Sequence, residues 1–224
     1  MRLLALCLVC FVGFAFASGV SQFESANPTG LSNGGPGTDA LLFDQPYAFG
    51  FLLNGFAHGF MCDDFELTGD ASIDTIRVWM IYAIANPTEA NFSILEDAGL
   101  VDPNFATPVW TGTLTANSVD TGDDNWGYDI WETTYTGSGP TDLVAGQLYW
   151  LSYEFHDQAT IFDYWLVSDP VWGDYCWTGA DGILWTRSDD PGTFETPADA
   201  FFQLMGTYSG ALDNATWGTI KSTF

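Results

Sequence analysis

Short runs of β-branched and aromatic residues recur along this chain, and clusters of Gly, Pro, Asn and Asp separate them. The clearest run covers residues 73–84. Ile76, Val78 and Met80 fall on one face of a strand there, and the other face is also fairly apolar, as in a central strand of a packed sandwich. No long window has a convincing 3.6-residue period, and parallel sheets need helical crossovers. The pattern therefore predicts an all-β fold, an antiparallel β-sandwich of jelly-roll type.

The first 17 residues have the features of a secretion signal. Met1 and Arg2 form a small positive start, and residues 3–14 are an almost unbroken apolar run. Ala15-Phe16-Ala17 has the small-x-small pattern at which signal peptidase cleaves. The run is too short for a retained membrane span, and no second stretch of about 18 apolar residues follows. We therefore expect a secreted, extracellular protein without a membrane span, and leave attachment to a cell surface open.

The remaining chain is long enough for one domain, because about 200 residues can bury most of their surface in a single core. Residues 18–39 are rich in Ser, Gly, Asn and Pro. The expected organisation is a signal peptide at 1–17, an N-terminal arm at 18–45, a β-sandwich domain at 46–208 and a C-terminal tail at 209–224.

Acidic residues dominate the charge, with 29 Asp and Glu against four Lys and Arg. A nucleic-acid partner requires basic residues that displace counterions from phosphates, so this class of function is excluded. Binding to an anionic membrane surface is disfavoured for the same reason. The acidity either keeps an extracellular protein soluble or provides ligands for divalent cations. Disorder is excluded because 47% of the residues are apolar and ten are tryptophan.

Removal of the signal peptide takes Cys7 and Cys10 and leaves Cys62 and Cys176. Two cysteines in an exported protein most often pair. Closure of so long a loop is worth about 4–5 kcal/mol in the chain-entropy model. We expect a Cys62–Cys176 disulfide; the alternative is two buried free thiols.

The densest polar cluster is a candidate calcium site. Its candidate ligands are Asp120, Asp123, Asp124, Asn125 and Asp129. Calcium takes oxygen ligands from flexible, Gly-containing loops, which matches this composition, but the segment lacks the Glu that ends an EF-hand loop. The alternative is a solvated hairpin loop whose Asp and Asn side chains bond to their own backbone.

Aromatic residues crowd the second half of the chain and suggest a carbohydrate-binding face. The candidate ligand-binding residues are Trp165, Trp172, Tyr175, Trp177 and Trp185. Exposed aromatic rings stack on sugars, whereas buried rings fill the cores of sandwiches. Both interpretations stay open.

No catalytic residue is predicted. The sequence contains no G-x-S-x-G, no H-E-x-x-H and no phosphate-binding loop. Paired carboxylates could hydrolyse glycosides, but 29 acids will place some pair at the required distance by chance. We expect a protein that is not an enzyme.

Five segments carry a resemblance to a known group of modules. They are Cys62-Asp63-Asp64-Phe65-Glu66-Leu67-Thr68, then residues 73–79 (IDTIRVW), 92–99 (FSILEDAG), 143–152 (LVAGQLYWLS) and 200–206 (AFFQLMG). In this order they resemble the strands of jelly-roll modules in uncharacterised secreted bacterial proteins, which often precede C-terminal sorting tails. The resemblance covers roughly residues 60–207 and implies a β-sandwich, not a catalytic activity. The Pro-Glu-Pro motif of one such tail is missing here.

Two functions are compatible with these observations. The first is a non-catalytic secreted structural or surface-associated module, with calcium as a candidate stabilising ion. The alternative is an extracellular carbohydrate-binding module that uses exposed aromatic side chains. The expected partners are glycans or other cell-surface components.

Overall fold

The computed structural model describes residues 40–45, 47, 52–53, 59–82, 85–99, 102–125, 127–154, 163–168, 176–179, 185–190 and 198–209. The predicted signal peptide, most of the predicted arm and nearly all of the predicted tail lie outside these residues. In the described part of the chain, no helix is long and apolar enough to cross a membrane.

The described residues form strands joined by turns. The strands are β1 (Ala40–Gln45), β2 (Leu52–Leu53), β3 (Phe60–Glu66), β4 (Ala71–Tyr82), β5 (Glu89–Glu96), β6 (Trp110–Asn125), β7 (Tyr128–Thr136), β8 (Leu148–Glu154), β9 (Asp163–Trp165), β10 (Val167–Ser168), β11 (Trp177–Gly179), β12 (Trp185–Arg187), β13 (Asp199–Ala200) and β14 (Phe202–Tyr208).

One large antiparallel sheet runs in the order β1-β14-β4-β7-β6-β5-β8-β3-β11-β12, and β9 adds to β4. A small sheet has the order β13-β10-β2. Leu42 of β1 and Met61 of β3 are far apart in the strand order, yet both are buried in the same core cluster. The large sheet must therefore curl around that core. The all-β, antiparallel prediction is confirmed, and the curled sheet is consistent with a sandwich-like fold.

β4 is a central strand with two apolar faces, as its sequence predicts. Ile76, Val78 and Met80 are buried in the main core. Trp79 and Ile81 point to the opposite face, where they join a second buried cluster. The side chains alternate because the repeat of an extended strand is two residues.

β1 lies within the residues predicted to be an N-terminal arm. It pairs with β14, Leu42 is buried in the main core, and Phe43 stacks on Phe202 with ring centroids 4.9 Å apart. The Ser-, Gly- and Pro-rich composition that suggested an arm ends at residue 39, so the following apolar residues form a strand of the sheet.

The main core also contains hydroxyl groups that bond to one another. Tyr82 donates to Thr133 over 2.8 Å, and the hydroxyls of Tyr135 and Tyr153 lie 3.3 Å apart. Burial raises the pKa of all three tyrosines, so they stay neutral. These pairs allow polar atoms to lie among apolar side chains, because a buried hydroxyl without a partner is costly.

Candidate ligand-binding groove

An open groove lies on the face of the large sheet opposite the main core. It has a volume of about 550 Å³. Its lining residues, here called the groove residues, are Tyr47, Arg77, Trp79, Val119, Asp120, Thr121, Glu132 and Gln203. They come from the segment after β1 and from β14, β4, β7 and β6, which are neighbours in the sheet.

Strand register brings the groove residues together. Gln203 lies opposite Arg77, and Glu132 lies between Trp79 and Val119 on adjacent strands. Residues directly opposite on paired strands share a face and touch. On β4 and β14 the sequence neighbours, Ile76, Val78, Phe202 and Leu204, are buried in the main core, so the side chains of Arg77 and Gln203 point to the other face.

Arg77 organises the polar part of the groove. Its Nε lies 3.2 Å from Glu132 Oε1, and its Nη1 donates to Gln203 Oε1 over 3.1 Å. The amide nitrogen of Gln203 in turn donates to Asp44 over 2.8 Å. The side chains of Arg77 and Glu132 are 31% and 36% exposed. The network therefore fixes polar groups that solvent or a ligand can still reach.

Tyr47 and Trp79 form the aromatic wall. Their rings are stacked, with centroids 5.8 Å apart and planes 12° apart, and Phe201 meets Tyr47 edge-on at 5.6 Å. Trp79 is buried, so Tyr47, which is half-buried, is the ring that reaches the groove. Its hydroxyl donates to Asp123 over 3.1 Å. Burial, followed by the hydrogen bond to Asp123 and its charge, raises the pKa of Tyr47, so the hydroxyl remains a donor.

Acidic groups outnumber basic groups in and beside the groove. Glu132 faces Arg77, while Asp120 is exposed at the rim and Asp123 lies against Tyr47. A ligand with negative charges would meet these carboxylates. The groove therefore suits neutral or positively charged polar molecules.

Two of the five aromatic residues predicted to bind a ligand, Trp165 and Trp177, have described side chains, and neither lines this groove. Trp165 is fully buried between Tyr153 and Phe202, and its indole nitrogen donates to the carbonyl of Phe201 over 2.9 Å. Trp165 is therefore a core residue, which corrects the prediction of a binding role. Half-buried Trp177 packs on a small cluster that includes Trp150.

Trp172 and Tyr175 lie outside the described residues, and of Trp185 only its position in β12 is described.

The candidate calcium residues lie on the β6–β7 hairpin, where their side chains already have partners. Asp120 accepts the backbone N–H of Gly122 over 2.8 Å, and Asp124 accepts that of Gly127 over 3.3 Å. Asp123 accepts the Tyr47 hydroxyl. The contacts of Asp120 and Asp124 with the backbone of their own loop are those that the hairpin-loop interpretation predicts.

Asn125 and Asp129 complete the predicted set: Asn125 is half-buried opposite Tyr128, and Asp129 is exposed opposite Asp124. Across the described ranges, no group of three or more His, Cys, Asp or Glu side chains is arranged to hold a metal ion. These contacts favour the alternative interpretation of a hairpin loop, and calcium binding here stays an untested prediction.

Cys62 and Cys176 are both buried free thiols, so the predicted disulfide is wrong. Cys62 lies opposite Trp177, and both belong to the small cluster with Trp150. Cys176 precedes Trp177 and belongs to the main core. Successive residues of an extended chain point to opposite faces, so the two thiols lie on opposite sides of the sheet. Burial raises the pKa of both thiols.

The sequence analysis missed most of the groove residues. Tyr47 and Gln203 belong to no recognisable sequence motif. They line the same groove because β14 pairs with both β1 and β4. One signal was present: Arg77 is one of four basic residues and interrupts the apolar strand 73–84.

Comparisons of the chain with models of known protein families, with curated proteins and with solved structures gave no match. The functional interpretation therefore depends on the groove itself.

Proposed function

We propose that this protein is a non-catalytic extracellular carbohydrate-binding module and that the groove residues bind the glycan. The observation that carries the proposal is the fixed Arg77–Glu132–Gln203 network beside the ring of Tyr47. Sugars present hydroxyls that hydrogen-bond to charged and amide groups, and they present C–H faces that pack on aromatic rings. The groove offers both kinds of contact side by side.

The charge of the groove indicates which glycans fit. Arg77 is neutralised by Glu132, and Asp120 adds a further negative charge at the rim. Uronic acids and sulfated sugars would be repelled, and the chain as a whole carries a net charge of −25. Neutral glycans or glycans with amino groups are the expected ligands.

A structural or surface-associated role is the second candidate. It is favoured by the continuous antiparallel order from β1 to β12, which joins distant segments of the chain in one sheet. In that case the groove is a polar surface without a ligand.

Affinity electrophoresis distinguishes the two functions. The protein is run in native gels that contain hydroxyethylcellulose, glycol chitosan or alginate, which are neutral, cationic and anionic polysaccharides. Retardation by hydroxyethylcellulose, or retardation by glycol chitosan that is lost in the Tyr47→Ala variant below, is expected, without retardation by alginate. Unchanged mobility in all three gels would contradict the carbohydrate-binding function.

The variant Tyr47→Ala, with Tyr128→Ala as its control, locates the site. Tyr128 is an exposed tyrosine (53%) that is not a groove residue, so its replacement removes an aromatic ring from the surface without changing the groove. Loss of retardation in Tyr47→Ala alone is expected. Equal retardation of the two variants would place binding elsewhere.

A further inference from the structure

A polar surface continues from the groove along the outer side of β5, β6 and β7. Phe92 of β5, Leu114 of β6 and Tyr135 of β7 are buried in the main core, so the residues beside them in sequence point outward. Most of these outward residues carry a hydroxyl or an amide group. They are here called the hydroxyl face and are Asn91, Ser93, Thr111, Thr113, Thr115, Asn117, Thr134 and Thr136.

The hydroxyl face is open to solvent and uncharged. Six of its eight residues are exposed, and Ser93 and Thr134 are half-buried. Residues 103–119, which include most of β6, contain no charged side chain, although the chain has 29 acidic residues. An acidic group lies at the border, where Glu154 accepts the side-chain amide of Asn91 over 2.9 Å. A strongly acidic chain thus presents a neutral surface of hydrogen-bonding groups here.

Strand register places the hydroxyl face directly beside the groove. Thr134 lies opposite Arg77 on β4 and opposite Asn117 on β6, and Nε of Arg77 donates to the Thr134 hydroxyl over 3.4 Å. The groove residue Val119 is two positions after Asn117 and therefore points to the same side of β6. A ligand that leaves the groove along β6 meets Asn117 first and Thr111 last, roughly 20 Å further on.

Hydrogen bonds between neighbouring strands hold part of the hydroxyl face in place. The hydroxyls of Ser93 and Thr111 lie 3.0 Å apart, and Thr113 donates to the side-chain oxygen of Asn91 over 2.6 Å. Each pair lies directly opposite in the pairing of β5 with β6. Threonine side chains also have few rotamers. A ligand that binds here therefore orders few side chains that were free before.

The chemistry of the hydroxyl face matches that of an uncharged sugar chain. Hydroxyl and amide groups both donate and accept hydrogen bonds, as sugar hydroxyls do, and no charge has to be desolvated on binding. The groups repeat about every 7 Å along β6 and about every 5 Å between strands, so a polymer of repeated units can contact them in succession. The hydroxyl face contains none of the aromatic, methionine or arginine side chains that are enriched at protein–protein interfaces.

We propose that the hydroxyl face binds the continuation of the glycan chain held in the groove, so that the ligand is a linear polysaccharide without negative charges that lies along β6. This inference rests on the carbohydrate-binding function proposed above. It adds that a trisaccharide contacts the groove alone, whereas a longer chain also contacts Thr113 and Thr115. The affinity for a glycan therefore increases with its length.

The double variant Thr113→Val/Thr115→Val tests this extension, because valine keeps the branched shape and the preference for strands but removes both hydroxyls. Calorimetric titrations use cellotriose, cellohexaose, chitotriose and chitohexaose. The wild-type protein should bind the hexasaccharide of one of these sugars about tenfold more tightly than its trisaccharide. The double variant should bind that hexasaccharide nearly as weakly as the trisaccharide, and its affinity for the trisaccharide should be unchanged.

Thr141→Val/Thr207→Val is the matched control. It removes two exposed threonine hydroxyls that belong neither to the hydroxyl face nor to the groove, so it should behave like the wild-type protein. A longer chain also offers more ways to fill the groove, but a gain from that source would survive in Thr113→Val/Thr115→Val. A preference for the hexasaccharide that is the same in the wild type and in this variant would overturn the role of the hydroxyl face.

Two further results separate this inference from the proposed function. Equal affinity of the wild-type protein for trisaccharide and hexasaccharide would overturn the role of the hydroxyl face and leave the carbohydrate-binding function standing. Binding of none of the four sugars, together with unchanged mobility in the polysaccharide gels, would overturn both.

Chemical-shift mapping of the wild-type protein decides the matter without any variant. The hexasaccharide, but not the trisaccharide, should shift the backbone amide signals of Thr113 and Thr115. Shifts that stay within the groove residues for both sugars would overturn the extension along β6.

Discussion

The ring of Tyr47 stacks on that of Trp79 with centroids 5.8 Å apart, which joins the segment after β1 to the centre of the large sheet. Trp79 is buried in the cluster with Ile81 and Phe201. Tyr47 thus has a rigid support on one side and the groove on the other. Such support matters for binding because an aromatic ring already held in place loses little conformational entropy when a ligand packs on it.

Replacement of Arg77 by Ala should abolish polysaccharide retardation with little loss of stability. The substitution removes the partner of Glu132 and the donor to Gln203. Because the ion pair is about one-third exposed, its loss should cost at most about 1 kcal/mol in urea unfolding. Arg187→Ala is the control, since Arg187 pairs with Asp189 and is not a groove residue. Retention of binding by Arg77→Ala would remove Arg77 from the site.

Replacement of Trp165 by Phe should lower stability but leave binding intact. The smaller ring leaves a cavity beside Tyr153 and removes the donor to the Phe201 carbonyl. Together these effects should cost about 2–4 kcal/mol, measured by urea unfolding. Binding is measured well below the unfolding transition. If Trp165→Phe stays as stable as the wild type and loses binding, Trp165 is a ligand contact after all.

The two cysteines should remain thiols in the purified protein. Intact mass should not rise by about 2 Da on treatment with a reductant, as it would if a disulfide opened. Both thiols are buried and have raised pKa values, so they should react with a thiol reagent only after unfolding. A mass increase on reduction without unfolding would contradict their position on opposite faces of the sheet.

Removal of calcium should leave the melting temperature unchanged. The carboxylates of the β6–β7 hairpin accept hydrogen bonds from Gly122, Gly127 and Tyr47 and do not converge on a common point. Melts in millimolar calcium and in EDTA should coincide, because an ion that binds the native state must raise its stability. A higher melting temperature in calcium that is lost in Asp124→Asn would establish a site at the hairpin.

Local patterns in the sequence predicted those features that depend on neighbouring residues. The two apolar faces of β4 follow from alternation along one strand. The position of β1 was missed because its few apolar residues follow a long stretch rich in Gly and Ser. Its place in the sheet depends on pairing with β14, more than 150 residues later.

The candidate site depends almost wholly on such distant pairings. Trp165 and Tyr47 are both aromatic residues beside Asp- and Gly-containing segments, and composition does not distinguish them. Pairing of β9 with β4 buries Trp165, whereas the segment after β1 leaves Tyr47 half-buried. The disulfide prediction was wrong for the same reason. The register of β3 with β11 determines the face of the sheet on which each of Cys62 and Cys176 lies, and the sequence does not show that register.

Chemical-shift mapping of the isotopically labelled protein with soluble oligosaccharides tests the groove most directly. Cello- and chito-oligosaccharides are titrated into the protein, and backbone amide and arginine Nε–H signals are followed. The largest shifts are expected at Tyr47, Gln203 and the Nε–H of Arg77, with no shift at Trp177. Shifts centred on Trp177, or no shifts at saturating oligosaccharide, would contradict the groove as the carbohydrate-binding site.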